Sequence, residues 1–128
     1  AATAAVTPAS TLAALNLAYL HLIEPRASGA GQAEVDHQNV PFASELFRPI
    51  WPTVLIAAGN YRPETAAAAI AAGHADAIAF GRLFIANPDL PARARTGAPL
   101  TPYNRATFYG GGAEGYTDYP RLEAADAS

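Results

Sequence analysis

Apolar residues in this chain come in short runs, and their spacing alternates between the helical and the extended period. Thr7-Pro8 predicts an N-cap with proline at the first helical position, opening an Ala/Leu-rich helix that ends near Asn16. Leu17 to Ile23 follows as a strand, with Tyr19, His21 and Ile23 on one face and Leu20 and Leu22 on the other. Glu24-Pro25-Arg26 ends it. Residues 27 to 44 lack periodicity and predict a long excursion, with a short helix around Ala43 to Phe47. Thr53 to Ala58 is an apolar run without strict alternation, as expected of a parallel strand buried on both faces. Pro63 and Glu64 open a second helix that reaches Gly73, and Asp76 to Phe80 is a third strand. Asn87-Pro88-Asp89 predicts another helix start, closed at Gly97, and Arg105 to Tyr109 a last short helix before Gly110-Gly111-Gly112.

The order helix, strand, loop, strand, helix, strand, helix is that of a parallel α/β protein with right-handed crossovers. A closed eight-stranded barrel takes about 250 residues. The 128 residues here therefore supply about half of one, as a single domain over 1–128 with two open strand edges that invite pairing. An oligomer or a complex is expected.

Composition narrows the function classes. Apolar residues make up 51% and charged residues 15%, which excludes a disordered chain. The net charge is −3 and all eight basic residues are arginines set singly from Arg26 to Arg121, so no nucleic-acid footprint is present. Without cysteine there is no disulfide and no thiolate chemistry. No apolar run approaches the roughly 20 residues of a membrane span, and no signal-type segment opens the chain. A soluble protein is expected, with the cytoplasm as the default compartment. The chain begins at Ala1 and lacks Met, which points to a processed product or a piece of a longer polypeptide.

Three segments carry candidate chemistry. Ala57-Ala58-Gly59-Asn60-Tyr61 turns from a strand end toward a helix, where glycine admits close backbone approach and free amides favour an anion. An ordinary strand-to-helix turn reads the same way. Ala79-Phe80-Gly81-Arg82-Leu83 places a guanidinium directly after a strand-ending glycine, as in the phosphate sites that barrels build after their last two strands. The simpler alternative pairs Arg82 with a surface carboxylate. Tyr103 to Tyr109 sets aromatics beside flexible glycines, suited either to the edge of a planar cofactor or to closing a core.

The strings Tyr19-Leu20-His21-Leu22-Ile23-Glu24-Pro25-Arg26, Ala58-Gly59-Asn60-Tyr61, Phe80-Gly81-Arg82-Leu83-Phe84-Ile85-Ala86-Asn87-Pro88-Asp89-Leu90, Asn104-Arg105-Ala106-Thr107-Phe108-Tyr109 and Gly115-Tyr116-Thr117-Asp118-Tyr119-Pro120 resemble the Old Yellow Enzyme family of NAD(P)H:flavin ene-reductases. They occur in family order across almost the whole chain. The resemblance implies the last three strands, their helices and the C-terminal tail of a TIM (β/α)8 barrel that holds FMN at its strand ends. It implies a cofactor-binding set of Ala58, Gly59, Asn60, Phe80, Gly81, Arg82, Phe108 and Tyr109. Gly59, Asn60 and Gly81 would meet the FMN phosphate through their backbone, and Arg82 would supply charge. Phe108 and Tyr109 would approach the flavin ring, with Tyr109 also on the substrate side.

The implied reaction passes hydride from NAD(P)H to flavin and on to the β-carbon of an activated alkene. The family's substrate-anchoring pair and its tyrosine proton donor match no segment here, so the chain is expected to hold no catalytic residue, to bind no metal and to be inactive alone. His21, His37 and His74 match no replacement motif. His21 is expected inside the barrel, His37 in the long loop and His74 in a turn. The loop from Ala27 to Gly31 is small and polar where family members often place an aromatic. The rivals are a non-catalytic half-barrel that completes itself with another chain or a second copy, and a general phosphate-binding barrel, against which the Phe108-Tyr109 string argues.

Overall fold

The computed structural model of the protein describes residues 2–28 and 39–122, with residues 2–7 given by backbone alone. His37 and part of the loop after Ala27 lie outside the described residues. The chain divides into two compact units, Ala1–Ala79 and Phe80–Ser128.

The first unit holds helix α1 (Ala2–Ala13), strand β1 (Tyr19–Ile23), helix α2 (Ala43–Phe47), strand β2 (Val54–Ala58), helix α3 (Pro63–Ala71) and strand β3 (Ala77–Ala79). The strands form a parallel sheet in the order β1-β2-β3. Helix α1 corrects the expectation at Thr7-Pro8, because it runs through Pro8 instead of starting there. Proline costs one backbone hydrogen bond and a local clash, but the preceding alanines have the strongest helix propensity and extend the helix on its far side. Helix α3 starts as expected, with Pro63 in its first turn and the Arg62 amide donating to Thr65 Oγ1 at 2.9 Å. Gly73, at φ +77°, takes the left-handed position that follows it.

Register assigns the faces of the sheet. Tyr19, His21 and Ile23 pair with Val54, Ile56 and Ala58, and Ala57 pairs with Ile78. Leu20, Leu22, Leu55, Ala57 and Ile78 therefore share the other face, since side chains alternate along each strand. That second face is covered: Leu55 and Ala57 are fully buried, together with Trp51, Ala66 and Ala69. The first face is open, with Ile23 72% exposed and Tyr19 and Val54 also exposed. Strand β2 is thus buried on one side among the described residues. The sequence reading of burial on both faces stops at the covered one.

An apolar sheet face left open, and strand edges left unpaired, among the described residues favour association. Light scattering of the purified 128-residue chain is expected to show species larger than a monomer, and Ile23→Glu to shift the distribution toward smaller ones. A sharp monomeric species that unfolds cooperatively would contradict this.

The second unit holds helix α4 (Arg82–Ala86), helix α5 (Leu90–Thr96) and a 3-10 turn at Arg105–Thr107. The helix start expected at Asn87-Pro88-Asp89 is present, with Asp89 as the N-cap of α5, and Asn87 before it is a buried link. Its Nδ2 donates to the carbonyls of Leu83 at 2.9 Å and Thr101 at 3.0 Å, while its Oδ1 accepts from the Thr101 amide at 2.8 Å. Asp89 precedes α5, and its carboxylate accepts from Arg93 Nε at 2.8 Å and the Leu122 amide at 2.7 Å. Desolvation pushes the Asp89 carboxyl up, but the Leu122 amide and the Arg93 guanidinium outweigh it and hold the group below its ordinary value.

Arg93, 4% exposed, also donates to the carbonyls of Pro99 at 2.9 Å and Pro120 at 3.0 Å and to Thr101 Oγ1 at 3.2 Å. One guanidinium thereby ties α5 to the segment after it and to the tail.

Candidate functional site

Each parallel strand delivers its C-terminal end to the same edge of the sheet, and Ala58 pairs with Ala79 in register. Strands β2 and β3 therefore end at matching heights. Gly59 adopts φ +111° and Asn60 φ +57°, both in the left-handed region. Glycine enters that region freely and asparagine more readily than most residues. A Cβ on Gly59 would stand 2.8 Å from Ala27 Cβ and 3.3 Å from the Glu24 amide nitrogen, so the strand end must remain bare backbone. Asn60 is exposed beside it.

Behind this turn lies Glu24, which in the sequence marks the end of β1. Glu24, 1% exposed, accepts at Oε1 from the Tyr61 hydroxyl at 3.0 Å and the Ser44 amide at 3.2 Å. Its Oε2 accepts from the Ala43 amide at 2.5 Å. The carboxylate thus caps α2 from a distant strand, where Phe42 at the N-cap offers no side-chain bond. The Tyr61 ring stacks on Phe42 with centroids 5.9 Å apart, and the Arg26 guanidinium lies 4.3 Å above the Phe42 ring. Burial, reinforced by the Glu24 carboxylate, pushes the Tyr61 hydroxyl up to about 12, so it stays a neutral donor at ordinary pH. Sequence offered one signal for this, a Glu at the end of an apolar strand, where an unpaired carboxylate rarely stays buried.

In the second unit the Gly81 carbonyl accepts the Phe84 and Ile85 amides at 2.9 and 3.1 Å, which starts α4 at Arg82. The first-turn amides of such a helix have no carbonyl acceptor within it. The Arg82 guanidinium lies 5.5 Å from the Tyr103 ring centroid, and Tyr103 meets Phe108 at 5.6 Å. Arg82 and Phe108 therefore flank one tyrosine. The Tyr116 hydroxyl donates to the Phe108 carbonyl at 2.8 Å, and Gly115 sits where a Cβ would collide with the Thr107 side chain. Tyr109 projects outward at 83% exposure.

Gly59 and Gly81 are bare backbone, a guanidinium follows Gly81 at Arg82, and neither 57–61 nor 79–83 contains a carboxylate. His21 lies on the open sheet face, and His74 follows Gly73 with Nδ1 3.3 Å from Glu45 Oε1. Among the described residues no three His, Cys, Asp or Glu side chains gather as a metal group, and no helix is long and apolar enough to cross a membrane.

A parallel sheet whose strand ends turn through glycine into helices places the chain among the α/β proteins built from repeated strand-helix units. Within that class, the sequence pattern of the NADH:flavin oxidoreductase / NADH oxidase family matches residues 2–101, and the chain belongs to this family, that of the Old Yellow Enzymes. FMN is the family's cofactor, with NAD(P)H as reductant.

The chain is 44% identical over 110 residues to 12-oxophytodienoate reductase 1 of Oryza sativa subsp. japonica, an alignment covering 84% of this chain and 28% of that protein. It is 43% identical over 115 residues to flavin oxidoreductase hxnT of Emericella nidulans, covering 80% and 30%. Morphinone reductase in complex with tetrahydroNAD superposes with a TM-score of 0.78 at 41% identity, over 99% of this chain and 32% of that one. The Old Yellow Enzyme of Trypanosoma cruzi gives 0.78 at 33% identity, over 94% and 30%. The chain spans about a third or less of the length of these relatives.

Proposed function

We propose that this chain is the FMN phosphate-holding part of an NAD(P)H-dependent ene-reductase, forming the last three strands and tail of a TIM barrel whose remaining strands come from the rest of the same polypeptide or from another chain. The observation that supports the reading is the register Ala58↔Ala79, which ends the parallel strands β2 and β3 at one sheet edge. Barrels of this kind bind ligands at that edge. FMN, when bound, supplies the electron chemistry between NAD(P)H and an activated alkene.

The chain's own residues bind and orient. Ala58, Gly59, Asn60, Phe80 and Gly81 offer backbone to the phosphate, and Arg82 adds a fork of donors that matches its oxygens. Phe108 and Tyr109 take the flavin-ring side, and the exposed Tyr109 reaches toward substrate. The open sheet face supports a companion reading in which assembly with the remaining strands precedes any activity.

The test is turnover. Material of verified mass for these 128 residues is expected to show no reduction of cyclohexenone by NADPH with added FMN, whereas the complete barrel carrying the chain turns over. Robust flavin-dependent turnover by the isolated chain would overturn the partial-barrel reading.

A further inference from the structure

Resting on the reading of Gly59 and Asn60 as phosphate-binding backbone, we infer that Glu24 is a positioning residue for that turn, acting through Tyr61. Glu24 never needs to touch the ligand. Its amide donates to the Ala58 carbonyl at 2.7 Å, and its carboxylate accepts the Tyr61 hydroxyl at 3.0 Å, so one residue grips the turn on both sides of Gly59-Asn60. The same carboxylate holds the first two amides of α2, at Ala43 and Ser44, which fixes its own place independently of the turn. Gly59 leaves no slack between these grips, since an added Cβ would stand 3.3 Å from the Glu24 nitrogen.

A buried carboxylate that spends both oxygens as acceptors for three donors is costly to alter, because any donor left behind stays desolvated and unpaired. Two left-handed residues in succession have many alternative conformations open to them when one flank is released. Backbone amides read a phosphate only if they are held at the right angle. Removing the Tyr61 grip should therefore degrade recognition of the phosphate while leaving the flavin-ring contacts intact.

The experiment is a set of titrations on the complete FMN-binding barrel containing this chain, with FMN and riboflavin followed by fluorescence quenching. Variants are Glu24→Gln, Tyr61→Phe, their combination and Arg82→Ala. Glu24→Gln is expected to weaken FMN binding by about tenfold and riboflavin binding by less than about twofold, a split that general loosening would not produce. Tyr61→Phe should shift FMN in the same direction by a smaller factor, and the double variant should be no worse than Glu24→Gln, since both act on one contact.

Equal losses for both ligands, no loss for either, or additive effects of the two substitutions would overturn the inference. If Glu24→Gln does not fold, Tyr61→Phe decides alone by the same split. Should Arg82→Ala discriminate against FMN while Glu24→Gln and Tyr61→Phe do not, the phosphate reading stands and this inference falls. Should the parent protein bind riboflavin as tightly as FMN, both fall together.

Discussion

Arg82→Ala in the complete flavoprotein is expected to weaken FMN binding by roughly tenfold to hundredfold and to leave riboflavin binding nearly unchanged. The guanidinium follows the strand-ending Gly81 at the head of α4, where a charge-assisted contact to phosphate would add to the first-turn amides. Such a contact contributes about 1.5–3 kcal/mol. The Tyr103 ring lies beside the guanidinium at 5.5 Å from its centroid, a contact that helps hold the fork in place. Arg82→Lys should recover only part of the affinity, since a point charge does not reproduce a planar fork. Fluorescence quenching titrations of apoprotein compare the two ligands directly. Equal losses for FMN and riboflavin would assign Arg82 to folding and remove the phosphate site from the second unit.

Arg93→Ala is expected to be the most destabilising single change in that unit, at about 3 kcal/mol or more. The side chain is almost wholly buried and serves the carbonyls of Pro99 and Pro120, the Thr101 hydroxyl and Asp89. Its loss strands acceptors on three segments and leaves Asp89 held only by the Leu122 amide and its own surroundings. Denaturant unfolding of the complete protein would give the magnitude, and amide exchange at Leu122 should accelerate along with it. Arg93→Lys should rescue little, because one ammonium cannot span carbonyls on both sides of α5. A change within about 0.5 kcal/mol would show that the tail is held by other contacts.

Local sequence determined much of the architecture and the positions of the candidate site. Periodicity placed β1, β2 and β3 within a residue or two, because apolar runs of that length bounded by Pro and Gly have few other solutions. Pro63 and Gly73 bracket α3 through constraints on φ that are properties of the residues themselves. Gly59 and Gly81-Arg82 stood out for the same reason: bare backbone at a strand end, followed by a side chain or helix start that favours anions. These are short-range signals, and short-range physics reads them.

Tertiary structure decided what depends on partners distant in the chain. Glu24 looked like the end of a strand until Ala43, Ser44 and Tyr61, from two other segments, converged on its carboxylate. Asn87 stands in a helix-start signature, and only the fold brings its amide to Thr101; Arg93 is one of two arginines on α5, and only the return of the tail sets it apart. Pro8 gave a local start signal that the alanines before it overrode. Which sheet face is covered also required the fold, since alternation shows that two faces exist but only the burial of Leu55 and Ala57 shows which one is filled. A buried polar group is stable only with its acceptors and donors in place, and those come from residues whose proximity no local pattern encodes.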